Sequence, residues 1–296
     1  MDDHLQSILG APVTDPEEDA FLVFSQNIPS QSLGFVDSQA STIDLTVAGR
    51  DLTIHQSRGL LTSNRKEGTT GAVVWKVTPL FAEWIASPNF LFHAGYLTSA
   101  STALELGAGV SGIVALSLGP QIARYIATDQ DYSMKLLCQN ISENLQATDR
   151  KRSRKSKHKL KRSPEVDGQH SSNIETLILD WELDSVSSLP ALLGQSGESD
   201  AGQNGVDLII ACDCIYNDAL IEPLNNTCAQ ICRLGSGQRE KPTLCLIAQQ
   251  LRSPEVFESW LKSFHRIFHV WRVPDELLTP SLRENTGFVV HIGYLR

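Results

Sequence analysis

A glycine-rich stretch in the first half of the chain has the residue types needed to hold a nucleotide-like ligand. Residues 103–112 read ALELGAGVSG, so Gly107, Gly109 and Gly112 have the G-x-G-x-x-G spacing. Such glycines let the backbone approach a ligand closely, where a strand turns into a helix whose first N–H groups are free. Nicotinamide and flavin enzymes share this turn, so the spacing predicts a bound ligand without defining its chemistry.

Two acidic residues add to this prediction. Glu105 lies in an otherwise apolar strand just before the glycines, where an acid must face either the ligand or a buried partner. Asp129 follows the next predicted strand, at the place where an acid accepts hydrogen bonds from two ribose hydroxyls. The alternative role for Asp129 is a simple helix N-cap.

Polar and aromatic residues also follow two later strands. Residues 206–216 read VDLIIACDCIY, which places Asp213 at the end of a buried strand and Tyr216 three residues later. Open α/β sheets place reactive groups at the carboxyl ends of their strands. The alternative for Asp213 is a cap for the following helix. Asp180 and Trp181 end another predicted strand, where the indole either stacks on a base or packs against the sheet edge.

These segments resemble the class I, seven-strand methyltransferases, and among them the protein-lysine methyltransferase family. The E-x-G-x-G spelling that begins at Glu105 is similar to motif I of that class. The D-x-x-Y spelling of Asp213 and Tyr216 resembles the lysine-directed branch, as does the T-G-x-x-x-W segment at 70–75. The resemblance extends over residues 71–294, roughly three quarters of the chain.

The resemblance implies that S-adenosylmethionine is the cofactor and that a protein lysine is the acceptor. It implies that Glu105 supports the amino-acid part of the methyl donor and that Asp213 and Tyr216 form the catalytic, lysine-orienting pair. Since members of this branch modify chaperones, elongation factors and ribosomal proteins, we expect a ribosomal protein of the large subunit as substrate. The other residues implied to bind the donor are Trp75, Gly107, Ala108, Gly109, Asp129, Asp180, Trp181 and Ala211. For Trp75, core packing is the alternative.

Other functions stay open at this point. A nicotinamide-dependent oxidoreductase would share the glycine turn and Asp129, but it needs a Tyr-x-x-x-Lys or His-based site, which is not evident in the sequence. A non-catalytic module that binds the cofactor could keep the same turns. A methyltransferase that acts on another protein or on a small molecule is a further alternative.

The elements that must position these residues alternate between strand-like and helix-like patterns. This alternation predicts an α/β fold with a doubly wound, mostly parallel sheet covered on both faces. Two closing strands joined by a loop are expected to pair antiparallel. The seven predicted strands cover residues 102–106, 125–128, 175–179, 206–211, 243–248, 267–273 and 288–294.

The composition divides the chain into regions of different character. Residues 1–65 are predicted to form a tail, loose over the first 20 residues, followed by a β-hairpin extension. By the resemblance, residues 66–296 are expected to form the methyltransferase domain, with a disordered basic insertion at 148–172. Nine of the 25 Lys and Arg residues lie in 150–162, which leaves 16 basic against 34 acidic residues elsewhere. An acidic body suits a basic protein partner, and only 150–162 offers a weak RNA contact.

The sequence shows no sign of a membrane segment, an export signal or a metal site. It has no apolar run of about 18 residues, and the N-terminus MDDHLQSILG lacks a basic and apolar leader. The six cysteines and eight histidines have no metal-ligand spacing. We therefore expect a cytoplasmic protein, with the nucleus as the alternative, and neither membrane nor metal among its partners.

Overall fold

A seven-stranded sheet forms the centre of the protein. The computed structural model describes residues 2–30, 33–61, 70–156, 173–184, 186, 189, 205–234 and 241–296. Within them the strands are β1 (Thr42–Val47), β2 (Arg50–His55), β3 (Thr102–Leu106), β4 (Arg124–Asp129), β5 (Ile174–Ile178), β6 (Leu208–Cys212), β7 (Leu244–Gln250), β8 (Phe268–Arg272) and β9 (Phe288–Leu295). The order in the large sheet is β5-β4-β3-β6-β7-β9-β8, and β1 and β2 form a separate hairpin.

Helices cover both faces of this sheet. They are α1 (Asp2–Leu9), α2 (Pro16–Ser25), α3 (Arg58–Leu61), α4 (Val77–Ile85), α5 (Phe90–His93), α6 (Ile113–Leu118), α7 (Asp131–Ser156), α8 (Ile221–Leu234) and α9 (Pro254–Ile267). Strands β5, β4, β3, β6 and β7 run parallel, whereas β9 pairs antiparallel with both β7 and β8. The predicted fold class and the antiparallel closing strands are thus confirmed.

The sheet divides the buried apolar residues into two layers. Strands β6 and β7 are buried along their whole length, as expected for apolar runs in a parallel sheet covered on both faces. One layer packs against α4, α6 and α7 and also takes in α1 and the β1–β2 hairpin. The other packs against α2, α8 and α9. The carboxyl ends of the parallel strands meet at one edge, where the predicted site residues gather.

The first 20 residues are not the loose tail predicted from their acidic composition. Leu5 and Leu9 of α1 are buried in the first layer, and Ala20 and Val23 of α2 in the second. The indole N–H of Trp271 donates to the Gly10 carbonyl at 3.0 Å. The prediction was wrong because these helices contain few apolar residues, which gave a weak sequence pattern. Those residues nevertheless pack against core residues far along the chain.

The basic insertion also begins later than predicted. Helix α7 continues to Ser156, so residues 148–156 are helical and not the disordered start of an insertion. Lys and Arg favour helices nearly as strongly as Leu does, so the loss of an apolar pattern at 148 did not end the helix. The remainder of the predicted insertion, 157–172, and the domain boundary at 65 lie outside the described residues.

Candidate functional site

An open pocket lies at the carboxyl ends of β3, β4, β5 and β6. Its volume is about 800 Å³, including space open to solvent. The lining comes from five chain segments that are far apart in sequence, at 70–78, 107–111, 129–132, 179–182 and 212–220.

The glycine turn after β3 forms one wall of the pocket. Gly107 and Gly109 have φ angles of +70° and +60°, a conformation that L side chains rarely adopt. A Cβ atom on Gly107 would lie 2.7 Å from the sulfur of Cys214, and one on Gly109 would lie 2.9 Å from the Gly71 carbonyl oxygen. The glycines are therefore required both by backbone conformation and by the close approach of neighbouring segments.

Asp129, at the end of β4, lines the pocket and holds the glycine turn. Its carboxylate accepts hydrogen bonds of 2.7 Å from the backbone N–H groups of Gly109 and Gln130. Burial raises the pKa of this carboxyl, although hydrogen bonds from Gly109, Ser133 and Gln130 oppose that rise. The residue thus joins two neighbouring strand ends, which exceeds the role of a simple helix cap.

Asp180 and Trp181 follow β5 and also line the pocket. The Asp180 carboxylate accepts from the side-chain amide of Gln130 at 3.0 Å and from the backbone N–H of Glu182 at 2.9 Å. The Trp181 ring lies against the glycine turn, since a Cβ on Gly107 would be 3.1 Å from it. Both residues therefore have access to any ligand bound at the turn.

Trp75 lines the pocket and has one aromatic and one cationic neighbour. Its indole N–H donates to the Thr70 carbonyl at 2.9 Å. The Phe35 ring lies 4.5 Å from its ring centroid, and the Arg252 guanidinium lies 4.8 Å from it. These contacts hold the indole in one orientation at the pocket wall.

The side chains of two predicted donor-binding residues lie away from the pocket lining. Glu105 is buried and accepts a hydrogen bond of 2.8 Å from the Tyr125 hydroxyl. Burial raises its pKa to about 7, partly offset by that hydrogen bond. Ala211 packs in the second core layer, and the next residue, Cys212, lines the pocket instead. Alternate residues of a strand face opposite sides of a sheet, so the side chains of Ala211 and Cys212 point to different faces.

Asp213 has an ionic partner that the sequence did not indicate. Its carboxylate forms a bidentate pair with the Arg252 guanidinium, with N–O distances of 2.7 Å and 2.6 Å. The Asp213 side chain is 2% exposed and that of Arg252 is 25% exposed. Asp213 has a φ of +60°, and its N–H donates to the Ala248 carbonyl at 2.7 Å.

No motif in residues 249–252 pointed to a role for Arg252. The available signal was its position just past the carboxyl end of β7, the strand that neighbours β6. Residues that follow adjacent parallel strands come together at the same edge of a sheet. An acid after one such strand and an arginine after the next are therefore candidates for an ion pair.

Tyr216 lines the same pocket as Asp213 and is 42% exposed. Partial burial raises the pKa of its hydroxyl, opposed by a hydrogen bond with Thr70. Asp213 and Tyr216 thus face one cavity, but the Asp213 carboxylate is already neutralised by Arg252.

The described residues contain neither a metal-binding cluster nor a membrane-spanning helix. Among those residues, no group of three or more His, Cys, Asp or Glu side chains is arranged to hold a metal ion. No helix in the described part of the chain is long and apolar enough to cross a membrane.

Comparison with known proteins places these features in a family. A profile described as lysine methyltransferase matches residues 54–159. The chain is 33% identical to ribosomal lysine N-methyltransferase 5 of Zygosaccharomyces rouxii, covering 72% of this chain and 70% of that protein. It is 30% identical to the protein of the same name from Vanderwaltozyma polyspora, covering 85% and 88% respectively.

A further relative is longer than this chain. The diaminohydroxyphosphoribosylamino-pyrimidine deaminase of Schizosaccharomyces pombe is 26% identical over 87% of this chain, which spans only 53% of that protein. At 33% and 30% identity, the chain covers 70% and 88% of the two ribosomal lysine N-methyltransferase 5 proteins named above. With the glycine turn and the acids at its strand ends, they show that the chain belongs to the lysine methyltransferase family.

Proposed function

We propose that this protein transfers a methyl group from S-adenosylmethionine to a lysine of a ribosomal protein. The single observation that carries the proposal is one pocket that contains both the glycine turn with Asp129 and the pair of Asp213 and Tyr216. The similarity to two fungal proteins named ribosomal lysine N-methyltransferase 5 supports the substrate class. The proteins of the large subunit, in the cytoplasm or the nucleus, are the first place to look for the acceptor.

The residues of the pocket fit S-adenosylmethionine. Gly107 and Gly109 line the pocket, and their lack of side chains lets a ligand approach the backbone closely. The Asp129 carboxylate would accept from ribose hydroxyls, and Asp180 and Trp181 would bind the adenine by hydrogen bonding and stacking. Trp75 would line the same cavity, and Glu105 would support the turn from beneath. When bound, this cofactor supplies an already activated methyl group.

The acceptor amine must be neutral to attack, and its ordinary pKa is about 10.4. An isolated carboxylate beside it would favour the charged ammonium form. Arg252 cancels the charge of Asp213 through a bidentate ion pair. We therefore assign to Asp213 and Arg252 together a polar but nearly neutral wall that orients the lysine without holding its proton. Tyr216 would accept a hydrogen bond from the amine through its hydroxyl oxygen.

The test measures cofactor binding and methyl transfer separately. Asp129→Ala should weaken S-adenosylhomocysteine binding by roughly 1–3 kcal/mol, through loss of charge-assisted hydrogen bonds. Asp213→Ala should bind S-adenosylhomocysteine with nearly wild-type affinity and lose most transfer of labelled methyl to large-subunit ribosomal proteins. Calorimetry and mass spectrometry of the modified protein provide the two readouts.

NADH is the control ligand for this test. Stabilisation by NADH and not by S-adenosylhomocysteine would favour a nicotinamide-dependent enzyme and overturn the proposed cofactor. Full methyl transfer by Asp213→Ala would show that the acceptor site lies elsewhere.

A further inference from the structure

A second, smaller cavity adjoins the cofactor pocket on the acceptor side. Its volume is about 330 Å³, including open space, and it lies between α2, the segment after β6 and the start of α9. We call it the acceptor-side groove. The residues that matter for its chemistry are Phe24, Ile215, Tyr216, Gln249, Arg252 and Val256.

The groove and the cofactor pocket share a wall. Tyr216 lines both cavities, and while Asp213 lines the pocket, its ionic partner Arg252 lines the groove. The Tyr216 ring and this ion pair therefore lie along the wall that the groove shares with the pocket. This places the groove where residues flanking an acceptor lysine would have to lie.

The groove has an apolar lining. Phe24 of α2 packs edge-on against Phe257 of α9 with ring centroids 5.4 Å apart. Val256 and Phe24 remain partly exposed, and Ile215 is buried beside them. Such a surface suits one aliphatic side chain of a bound segment.

One polar group in the groove lacks a partner. Gln249 is 2% exposed, and its side-chain nitrogen makes no hydrogen bond with any described residue. Buried amide donors are nearly always paired in folded proteins. A peptide carbonyl that enters the groove would supply the missing acceptor.

Two acidic residues lie close in sequence to residues that line the groove. Asp218 follows Tyr216 by two residues, and Glu255 follows the groove residue Ser253 by two. Both side chains are exposed, and neither is in an ion pair with another residue of the described chain. Negative charge near the groove favours a basic segment and disfavours nucleic acid.

We propose that the acceptor-side groove binds the segment of the substrate protein next to the acceptor lysine. In this arrangement one aliphatic side chain of a basic segment packs on Phe24, Ile215 and Val256, and a backbone carbonyl accepts from Gln249. The proposal rests on the function proposed above. It adds that the groove determines which sequences next to the acceptor lysine the enzyme prefers.

The experiment uses the full-length protein, labelled S-adenosylmethionine and synthetic arginine-rich peptides with one central lysine. A leucine is placed in turn at each of the four positions on either side, with alanine as the reference. One leucine position should raise kcat/KM about tenfold over the alanine peptide, as one well-buried aliphatic group can. Val256→Asp should reduce that preference, measured as the ratio of kcat/KM for the leucine and alanine peptides in the same variant, to twofold or less.

A matched control adds the same charge elsewhere. Gln146→Asp changes an exposed residue of α7 and should keep the full leucine preference.

A second variant, Gln249→Leu, removes the unpaired amide and keeps a side chain of similar size in the groove. Its melting temperature should be no lower than that of the wild type. Its KM for the leucine peptide should rise about fivefold at unchanged kcat. This variant keeps the test informative if Val256→Asp fails to bind S-adenosylhomocysteine.

The outcomes separate this inference from the proposed function. The proposal for the groove would be refuted if the enzyme methylates ribosomal proteins or peptides and shows no leucine preference. It would also be refuted if the preference survives in both Val256→Asp and Gln249→Leu. Cofactor binding without transfer to any peptide or ribosomal protein would overturn the proposed function, and the groove with it.

Discussion

At the scale of single residues, the pairing of Asp213 with Arg252 changes how the acceptor site is understood. The sequence alone suggested a lone carboxylate beside the lysine, which would have worked against deprotonation of the amine. The ion pair removes that conflict, because the nearest carboxylate is already matched by a guanidinium. Breaking a buried pair leaves an uncompensated charge and is therefore expected to alter both chemistry and stability.

Arg252→Gln should shift the pH dependence of methyl transfer to higher pH. Unpaired Asp213 would stabilise the lysine ammonium, so the apparent pKa in kcat/KM should rise by about 1 unit or more. Arg252→Lys keeps the positive charge and should stay within about half a unit of the wild type. The double variant Asp213→Asn, Arg252→Gln should return towards the wild-type profile. Superimposable profiles for Arg252→Gln and the wild type would refute this role, provided that both bind S-adenosylhomocysteine.

Glu105 should make the stability of the protein depend on pH. Its pKa is raised from 4.5 to about 7 by burial, so between these values the folded protein holds a proton that the unfolded chain has released. Stability should therefore fall as the pH rises from about 4.5 to 7, by up to about 3 kcal/mol, and then level off. Urea titrations of the wild type and Glu105→Gln measure the difference. A wild-type curve parallel to that of Glu105→Gln would contradict the prediction.

At the scale of elements, the turn after β3 is held by segments from elsewhere in the chain. The Gly109 N–H donates to Asp129, and the Val110 N–H donates to the Gly71 carbonyl at 2.9 Å. A third glycine, Gly112, lets α6 approach α7, because a Cβ there would lie 2.7 Å from the Ile141 side chain. The geometry of the turn thus depends on how strand ends and helices pack around it.

Gly109→Ala should weaken S-adenosylhomocysteine binding at least tenfold, since the new methyl group would press on the Gly71 carbonyl. Gly49→Ala is the matched control. Gly49 also has a positive φ, of +70°, but a Cβ there has no neighbour within 4 Å. Both variants carry a similar backbone penalty, so calorimetry should show a loss of affinity in Gly109→Ala alone. Equal affinities in the two variants would mean that the turn tolerates the contact.

At the scale of the whole molecule, the N-terminal helices belong to the fold that carries the site. Helix α2 packs on α9 and contributes Phe24 to the acceptor-side groove. Asp19 of α2 lies 3.3 Å from the buried His291 and 3.8 Å from Arg272. Burial opposes ionisation of Asp19, but a hydrogen bond with His291 and attraction to His291 and Arg272 together lower its pKa.

Leu5→Ala should destabilise the protein by about 2–5 kcal/mol, because it leaves a cavity in the first core layer. Leu5 is 0% exposed, whereas Phe21, in the neighbouring helix, is 72% exposed. Phe21→Ala should therefore change the free energy of unfolding by no more than about 0.5 kcal/mol. Chemical denaturation of both variants tests whether the N-terminal residues are part of the cooperative fold. A negligible effect of Leu5→Ala would show that they are not.

The sequence by itself determined the features that depend on local pattern. The alternation of strands and helices predicted the parallel sheet, and the glycine spacing with Asp129 predicted where a ligand pocket would form. The sequence pattern did not predict the pairings between distant segments. Arg252 meets Asp213 across 39 residues, and Tyr125 meets Glu105 across 20. Each of these partners is set by which strands lie side by side. Only the tertiary structure, through burial and the registry of neighbouring strand ends, decided which charges are matched.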